Sequence, residues 1–258
     1  MSGFHFARPT GAAASRMVPA ALLLALLLGA MPTARADTRE EIALSLAEML
    51  RSARTVISAN QALINDPAVG DKGLSGDVVL QKTRAKYSQA TSQDPGEIDP
   101  NSLHGKLLRA LMASITEVMD ENQPLLNEQG VAFKAFLPAT FARLVTERFR
   151  SKAGADAVIK VTGPDELVRN RSARPDRWEQ EQIESVLLRH DYPKGQHFAM
   201  VAEDRGRRAL RVLIPEYYTE SCLACHGGPK GEPDITGYPK EGGRVGDLGS
   251  VISITIFD

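Results

Sequence analysis

Only two cysteines occur in the 258 residues, and both fall inside one short motif, Cys222 to Gly227. A disulfide-stapled scaffold is thereby excluded, because at most one bridge can form. Acidic residues are missing from the first 36 positions, whose only basic residues are Arg8, Arg16 and Arg35. Taking those three from the 31 lysines and arginines leaves 28 bases against 32 acids in the remainder. That surplus of negative charge argues against a nucleic-acid partner. No apolar run is long enough to span a bilayer either, since Val18 to Met31 falls short of the ~20 residues required.

What the N-terminus does have is an export pattern. Arg8 and Arg16 precede the apolar run, and Ala34-Arg35-Ala36 puts small residues where a signal peptidase reads them. The expectation is a signal peptide over residues 1–36, cleaved after Ala36, delivering residues 37–258 to the periplasm. Left uncleaved, the same segment would tether the domain to the membrane. With 43% apolar residues the remainder can build one core, so a single domain is expected.

Helical spacing dominates the first half. Thr38 and Glu41 form a capping box, and Ile42, Leu46, Met49, Leu50, Ala53, Val56 and Ile57 mark one helix face up to about Asn60. A second helix is expected near Val78 to Gln89, before a turn at Asp94-Pro95-Gly96. A third starts at Leu103 and stops before Pro124, with Leu107, Leu108, Leu111, Ile115 and Met119 on the face that packs on the first helix. Pro138 opens a fourth with Phe141, Leu144, Val145 and Phe149, and Pro175-Asp176 a fifth with Trp178, Ile183, Val186 and Leu187 inward.

Strands are expected at Ala157 to Val161, at Phe198 to Ala202 and Leu210 to Ile214 about the turn Asp204-Arg205-Gly206, and at Val251 to Phe257. The fold class is therefore α+β, an antiparallel sheet with flanking helices and a long N-terminal helical region. Between the last strands, Gly227 to Gly249 holds eight of the 21 glycines. A loop of that length inside a compact domain is usually functional.

The loop begins at Cys222-Leu223-Ala224-Cys225-His226-Gly227. Thiols three positions apart reach the two vinyl groups of one haem and form thioethers, and the adjacent imidazole lies under the iron. Cys222 and Cys225 are therefore the expected attachment points of one haem c, and His226 the expected iron ligand. Three other readings compete. A redox pair needs a helix after its first cysteine, which Gly227, Gly228 and Pro229 curtail. A zinc site needs about four ligands, and His104, His190 and His197 form no recognisable second half. A disulfide across so short a ring would stabilise little.

The second axial position stays open. His104 reads as a solvated or capping residue ahead of a helix, His190 as a helix-end residue and His197 as half exposed at a strand start. Met49, Met112, Met119 and Met200 read as core filler. Arg169-Asn170-Arg171 and Arg174 either meet haem propionates or form a basic surface turn, the turn being the simpler reading.

Glu220 to Gly231, then Asp234-Ile235-Thr236-Gly237-Tyr238 and Gly246-Asp247-Leu248-Gly249, resemble a bacterial family of c-type haem-binding, PAS-like sensory domains. Phe133 to Phe141, Arg169-Asn170 ahead of Pro175-Asp176-Arg177-Trp178-Glu179, and Pro215-Glu216-Tyr217-Tyr218 fit the same family, so the resemblance runs from about Glu40 to the end. It implies a PAS-like antiparallel sheet with haem near the long loop, Cys222, Cys225 and His226 as attachment residues, and sensing of redox state or a diatomic gas. Family members that place a cysteine from an N-terminal helix on the second face of the iron are not matched there, because no third cysteine exists.

The expected partners are the haem maturation machinery and a separate signalling or redox protein, because no output module follows the last strand. The rival reading is a soluble periplasmic electron carrier. An enzyme such as a small peroxidase would need a distal acid-base pair, and the sequence identifies none, so no catalytic residue is assigned.

Overall fold

A computed structural model describes Met1 and residues 38–258. The expected signal peptide and its cleavage point, Met1 apart, lie outside the described residues. Among these, no helix is long and apolar enough to cross a membrane.

Helix α1 (Arg39–Ala59) starts where its capping box predicts: the Glu41 N–H donates to Thr38 Oγ1 at 3.2 Å and the Thr38 N–H to Glu41 Oε2 at 2.6 Å. A single turn, α2 (Gln61–Ile64), follows it. Helices α3 (Gly76–Thr91) and α4 (Leu103–Glu121) are capped by Ser75 and Ser102, whose hydroxyls accept otherwise unpaired backbone N–H groups. The chain breaks after Glu121 and re-forms one turn, α5 (Gln123–Leu126), because Pro124 has no N–H to continue the ladder. Helix α6 (Pro138–Ala153) has its proline in the first turn, where an N–H would be unpaired anyway, and ends at Gly154 with φ 59°.

Strand β1 (Ala157–Thr162) leads through two short 3-10 turns to α7 (Arg177–Gln182), which continues as a π turn to Leu187. Strands β2 (Phe198–Asp204) and β3 (Arg207–Tyr217) form a hairpin whose two turn residues, Arg205 and Gly206, have φ 53° and 76°. Positive φ at both positions matches the right-handed twist of the flanking strands. A 3-10 turn and the helical turn α8 (Leu223–His226) precede the long loop and β4 (Leu248–Phe257).

The sheet is antiparallel throughout, in the order β1-β4-β3-β2. The last strand in sequence is thus central. Ile252, Ile254 and Ile256 point to one face and join Val212, Ile214 and Ile159 beneath α1 and α6, with α4 packed on those two helices. On the opposite face Leu213 and Val251 pack with Ile183 and Leu187, flanked by Trp178 and Phe198. Both faces are covered, which is why β4 is buried from Val251 to Phe257. Pro215 lies past Leu213, the last β3 residue paired with β2, so its missing N–H falls where β3 has become an edge.

Several sequence expectations change. His104 is buried at 4% exposure within α4, with Nε2 2.7 Å from Ser45 Oγ, and is neither solvated nor a cap. Met49 and Met119 are core residues and Met112 packs against that core, whereas Met200 is exposed on β2. Its neighbour Val201 is exposed as well, because β2 is an edge strand whose middle neither apolar cluster covers.

Candidate functional site

The motif is held at the edge of the sheet by backbone pairing. The Tyr218 N–H donates to the Asp247 carbonyl at 2.9 Å and the Gly246 N–H returns to the Tyr218 carbonyl at 2.8 Å. Glu220 to Cys222 wind as a 3-10 turn and Leu223 to His226 as one helical turn, so Cys222 and Cys225 stand three residues apart on one side. On the far side of the loop, the Gly243 and Gly242 N–H groups donate to the His226 and Gly227 carbonyls at 2.7 and 3.0 Å. The long loop is therefore bonded back onto the motif that starts it.

Both thiols are free and partly exposed. Thr219 Oγ1 lies 3.4 Å from Cys222 Sγ. Burial first, and the Asp234 carboxylate second, push the Cys225 thiol above its ordinary range. An activated redox or catalytic thiol needs the opposite shift. The His226 Nδ1 hydrogen bonds to Glu241 Oε2 at 2.9 Å, and Nε2 has no hydrogen-bond partner among the described residues. The Tyr218 ring stacks on the imidazole.

Behind the histidine lies an ion-pair hub. Arg169 donates from Nε and Nη2 to the two oxygens of Glu241 at 2.7 and 3.0 Å, from Nη1 to Asp234 Oδ2 at 2.6 Å and from Nη2 to the Cys225 carbonyl at 2.9 Å. Its guanidinium also lies 4.6 Å from the centre of the Tyr238 ring. The Asp234 side chain is fully buried. Its other oxygen accepts from the Thr236 N–H and hydroxyl and the Tyr238 N–H at 2.7, 2.6 and 3.1 Å. Burial drives the Asp234 and Glu241 carboxyls upward. Hydrogen bonds from Thr236 and Arg169 to Asp234, and from Arg169 and His226 to Glu241, outweigh it and hold both below the usual carboxylate range.

The basic stretch thus divides. Arg171 and Arg174 are exposed as a surface turn would be, with Arg174 3.5 Å from Asp165, but Arg169 turns inward to three partners of the motif and its loop. Asn170 turns its side chain onto the Ser172 N–H. The second axial position stays open: His104 bonds to Ser45, His197 to Glu40 at 2.8 Å, and His190 lies on the surface. Among the described residues no group of three or more His, Cys, Asp and Glu side chains is placed to hold a metal ion, so the zinc reading finds no second pair of ligands.

Glu241 and Asp234 were not anticipated as parts of the site. Asp234 carries a local signal, since Asp-x-Thr is the pattern of an Asx turn. Glu241 carries none, being one acid 15 residues from its histidine. A family model described as Tll0287-like matches residues 34–256. No curated protein and no solved structure matches the chain.

Proposed function

Because the chain belongs to the Tll0287-like family of haem-binding sensory domains, we propose that it is an exported protein carrying one covalent haem c on Cys222 and Cys225, with His226 as an axial iron ligand. One observation carries the reading. Two free thiols stand beside an imidazole whose Nδ1 is already engaged, leaving Nε2 as the open nitrogen. A ligating histidine needs that arrangement, because the hydrogen bond at one ring nitrogen fixes which of the two meets the metal.

Each group has a role in this reading. Cys222 and Cys225 anchor the porphyrin, Glu241 orients His226, and Tyr218 fixes the plane of its ring. Arg169 ties Glu241 and Asp234 to the carbonyl of Cys225, so the attachment turn and the ligand are positioned by one side chain. The bound iron would supply a ferric/ferrous couple and, where its second axial position opens, a site for a diatomic gas. A separate signalling or redox partner would read the state of the haem, the maturation machinery would attach it in the periplasm after cleavage behind Ala36, and no enzymatic role is proposed.

The test is expression with and without a cytochrome c maturation system. Matured protein should gain the mass of one haem, while Cys222→Ala/Cys225→Ala should fold and stay colourless. Colourless wild-type protein at the bare polypeptide mass would overturn the reading. A rapid spectral shift of the ferrous protein with carbon monoxide supports gas sensing, and the absence of a shift leaves redox sensing or electron transfer.

A further inference from the structure

Beyond holding the cofactor, the groups behind His226 have a charge arrangement that bears on how the cofactor behaves. The Nδ1–H of His226 points at a carboxylate, Glu241, at 2.9 Å rather than at a neutral acceptor. Arg169 binds both oxygens of that carboxylate but is shared with Asp234, whose side chain is fully buried. One guanidinium between two carboxylates leaves one net negative charge at the back of the imidazole. The Glu241 side chain is only 11% exposed and that of Arg169 21%, so water screens this charge poorly.

We propose that Glu241 is a positioning and potential-setting residue: its carboxylate draws on the His226 Nδ1–H, makes Nε2 a stronger donor and biases the iron toward the ferric state, while Arg169 limits that bias by sharing the charge. The proposal rests on the haem reading above. It follows from two physical rules. A carboxylate acceptor raises the basicity of a ligating imidazole, and a nearby negative charge favours the more positive oxidation state. Arg169 and Glu241 should therefore act with opposite sign, although each contacts the other and both hold the same loop.

That opposition separates tuning from simple support. Glu241→Gln keeps a hydrogen-bond acceptor at the same reach and removes the charge. In matured protein its reduction potential should move upward by a tenfold change in ferric preference, about 59 mV for one electron. Arg169→Gln removes the compensating charge and should move the potential downward. The haem content of each variant is read independently by mass. A potential in Glu241→Gln that stays put or falls overturns the proposal, as does a shift of the same sign in both variants. Wild-type protein that acquires no haem fails the functional reading instead, and is recognised before any variant is compared. Should a variant not mature, nitrogen chemical shifts of the wild-type apoprotein decide. A neutral His226 protonated on Nδ1 supports the Glu241 role, and one protonated on Nε2 overturns it.

Discussion

The Tyr218 ring stacks on the His226 imidazole with centroids 5.2 Å apart and planes 18° from parallel. Its hydroxyl is buried without a hydrogen-bond partner among the described residues. Burial first, and the Glu241 carboxylate second, push the phenol up to about 12, so it stays neutral over any ordinary pH range. The ring matters and the oxygen does not. Tyr218→Phe should unfold at the same denaturant concentration as wild type or higher, because a buried unpaired hydroxyl costs about 1–3 kcal/mol. Tyr218→Ala should lose about 3–5 kcal/mol. A clear destabilisation in the phenylalanine variant would mean that the hydroxyl has a partner after all.

Glu216, on β3 two residues before Tyr218, is tied to α1 by Arg54 and by Arg51 at 3.3 Å, and accepts from Ser250 at 3.1 Å. Burial raises its carboxyl, but the charges and hydrogen bonds of the arginines and Ser250 hold it below the usual range. A carboxyl depressed by folding contributes stability that is present above its unfolded value, about 4.3, and is lost as pH falls through its lower folded value. Glu216→Gln should cost about 3 kcal/mol near neutrality, the low end for a broken buried pair because Arg51 is partly exposed. It should also flatten the acid limb of a stability-against-pH curve, and an acid limb as steep as wild type would exclude Glu216 as a source of that slope.

The capping box at Thr38, the helix start at Asp176 and the hairpin about Asp204-Arg205-Gly206 are local patterns, and each forms where its residues foretell it. The sheet order is less legible, because β1 and β2 become the edges only through contacts made by β4, the last strand to be read. Arg169 is harder still. In sequence it is one of several basic residues before Pro175, and its partners lie 56 to 72 positions away. Nothing local separates it from Arg171, which stays on the surface. The place of His104 is hidden in sequence for a related reason: its partner Ser45 lies on α1, 59 positions earlier.

Asp234→Asn should loosen the loop without unfolding the helices. The carboxylate accepts four hydrogen bonds from Arg169, Thr236 and Tyr238, and an amide has one oxygen to offer in place of two. Hydrogen exchange should quicken over residues 227–247 while α1 and α4 keep their protection. Unchanged exchange across the loop would show that the backbone pairs at Gly242 and Gly243 suffice to order it.

Cys225 should alkylate slowly before a haem is attached. Its thiol is pushed up by burial and then by Asp234, so at neutral pH less of it is thiolate than in a free cysteine of pKa about 8.5. Removing the neighbouring charge in Asp234→Asn should speed the reaction at Cys225 and move its pH profile to lower values. Equal rates at Cys225 in the two proteins would mean that Asp234 does not act on the sulfur.

Gly243 should tolerate no side chain, for a reason of contact and not of backbone freedom. A Cβ there would lie 2.5 Å from the Tyr218 ring and 3.1 Å from the His226 carbonyl. The ring has little room to retreat, because the Gly249 backbone lies against its other edge, so close that a Cβ there would stand 2.3 Å from it. That glycine sits at the register shift where Glu216 pairs with Ser250 and Tyr217 with Leu248, so one irregularity in the sheet makes room for the aromatic wall of the site. Gly243→Ala should therefore cost about 1–3 kcal/mol, the usual range for overpacking, and should lower the fraction of protein that acquires haem by displacing Tyr218 from His226. Gly228→Ala is the comparison, since nothing lies within 4 Å of its Cβ position. If both variants mature and melt as wild type does, the stacked pair is not confined as tightly as these distances require.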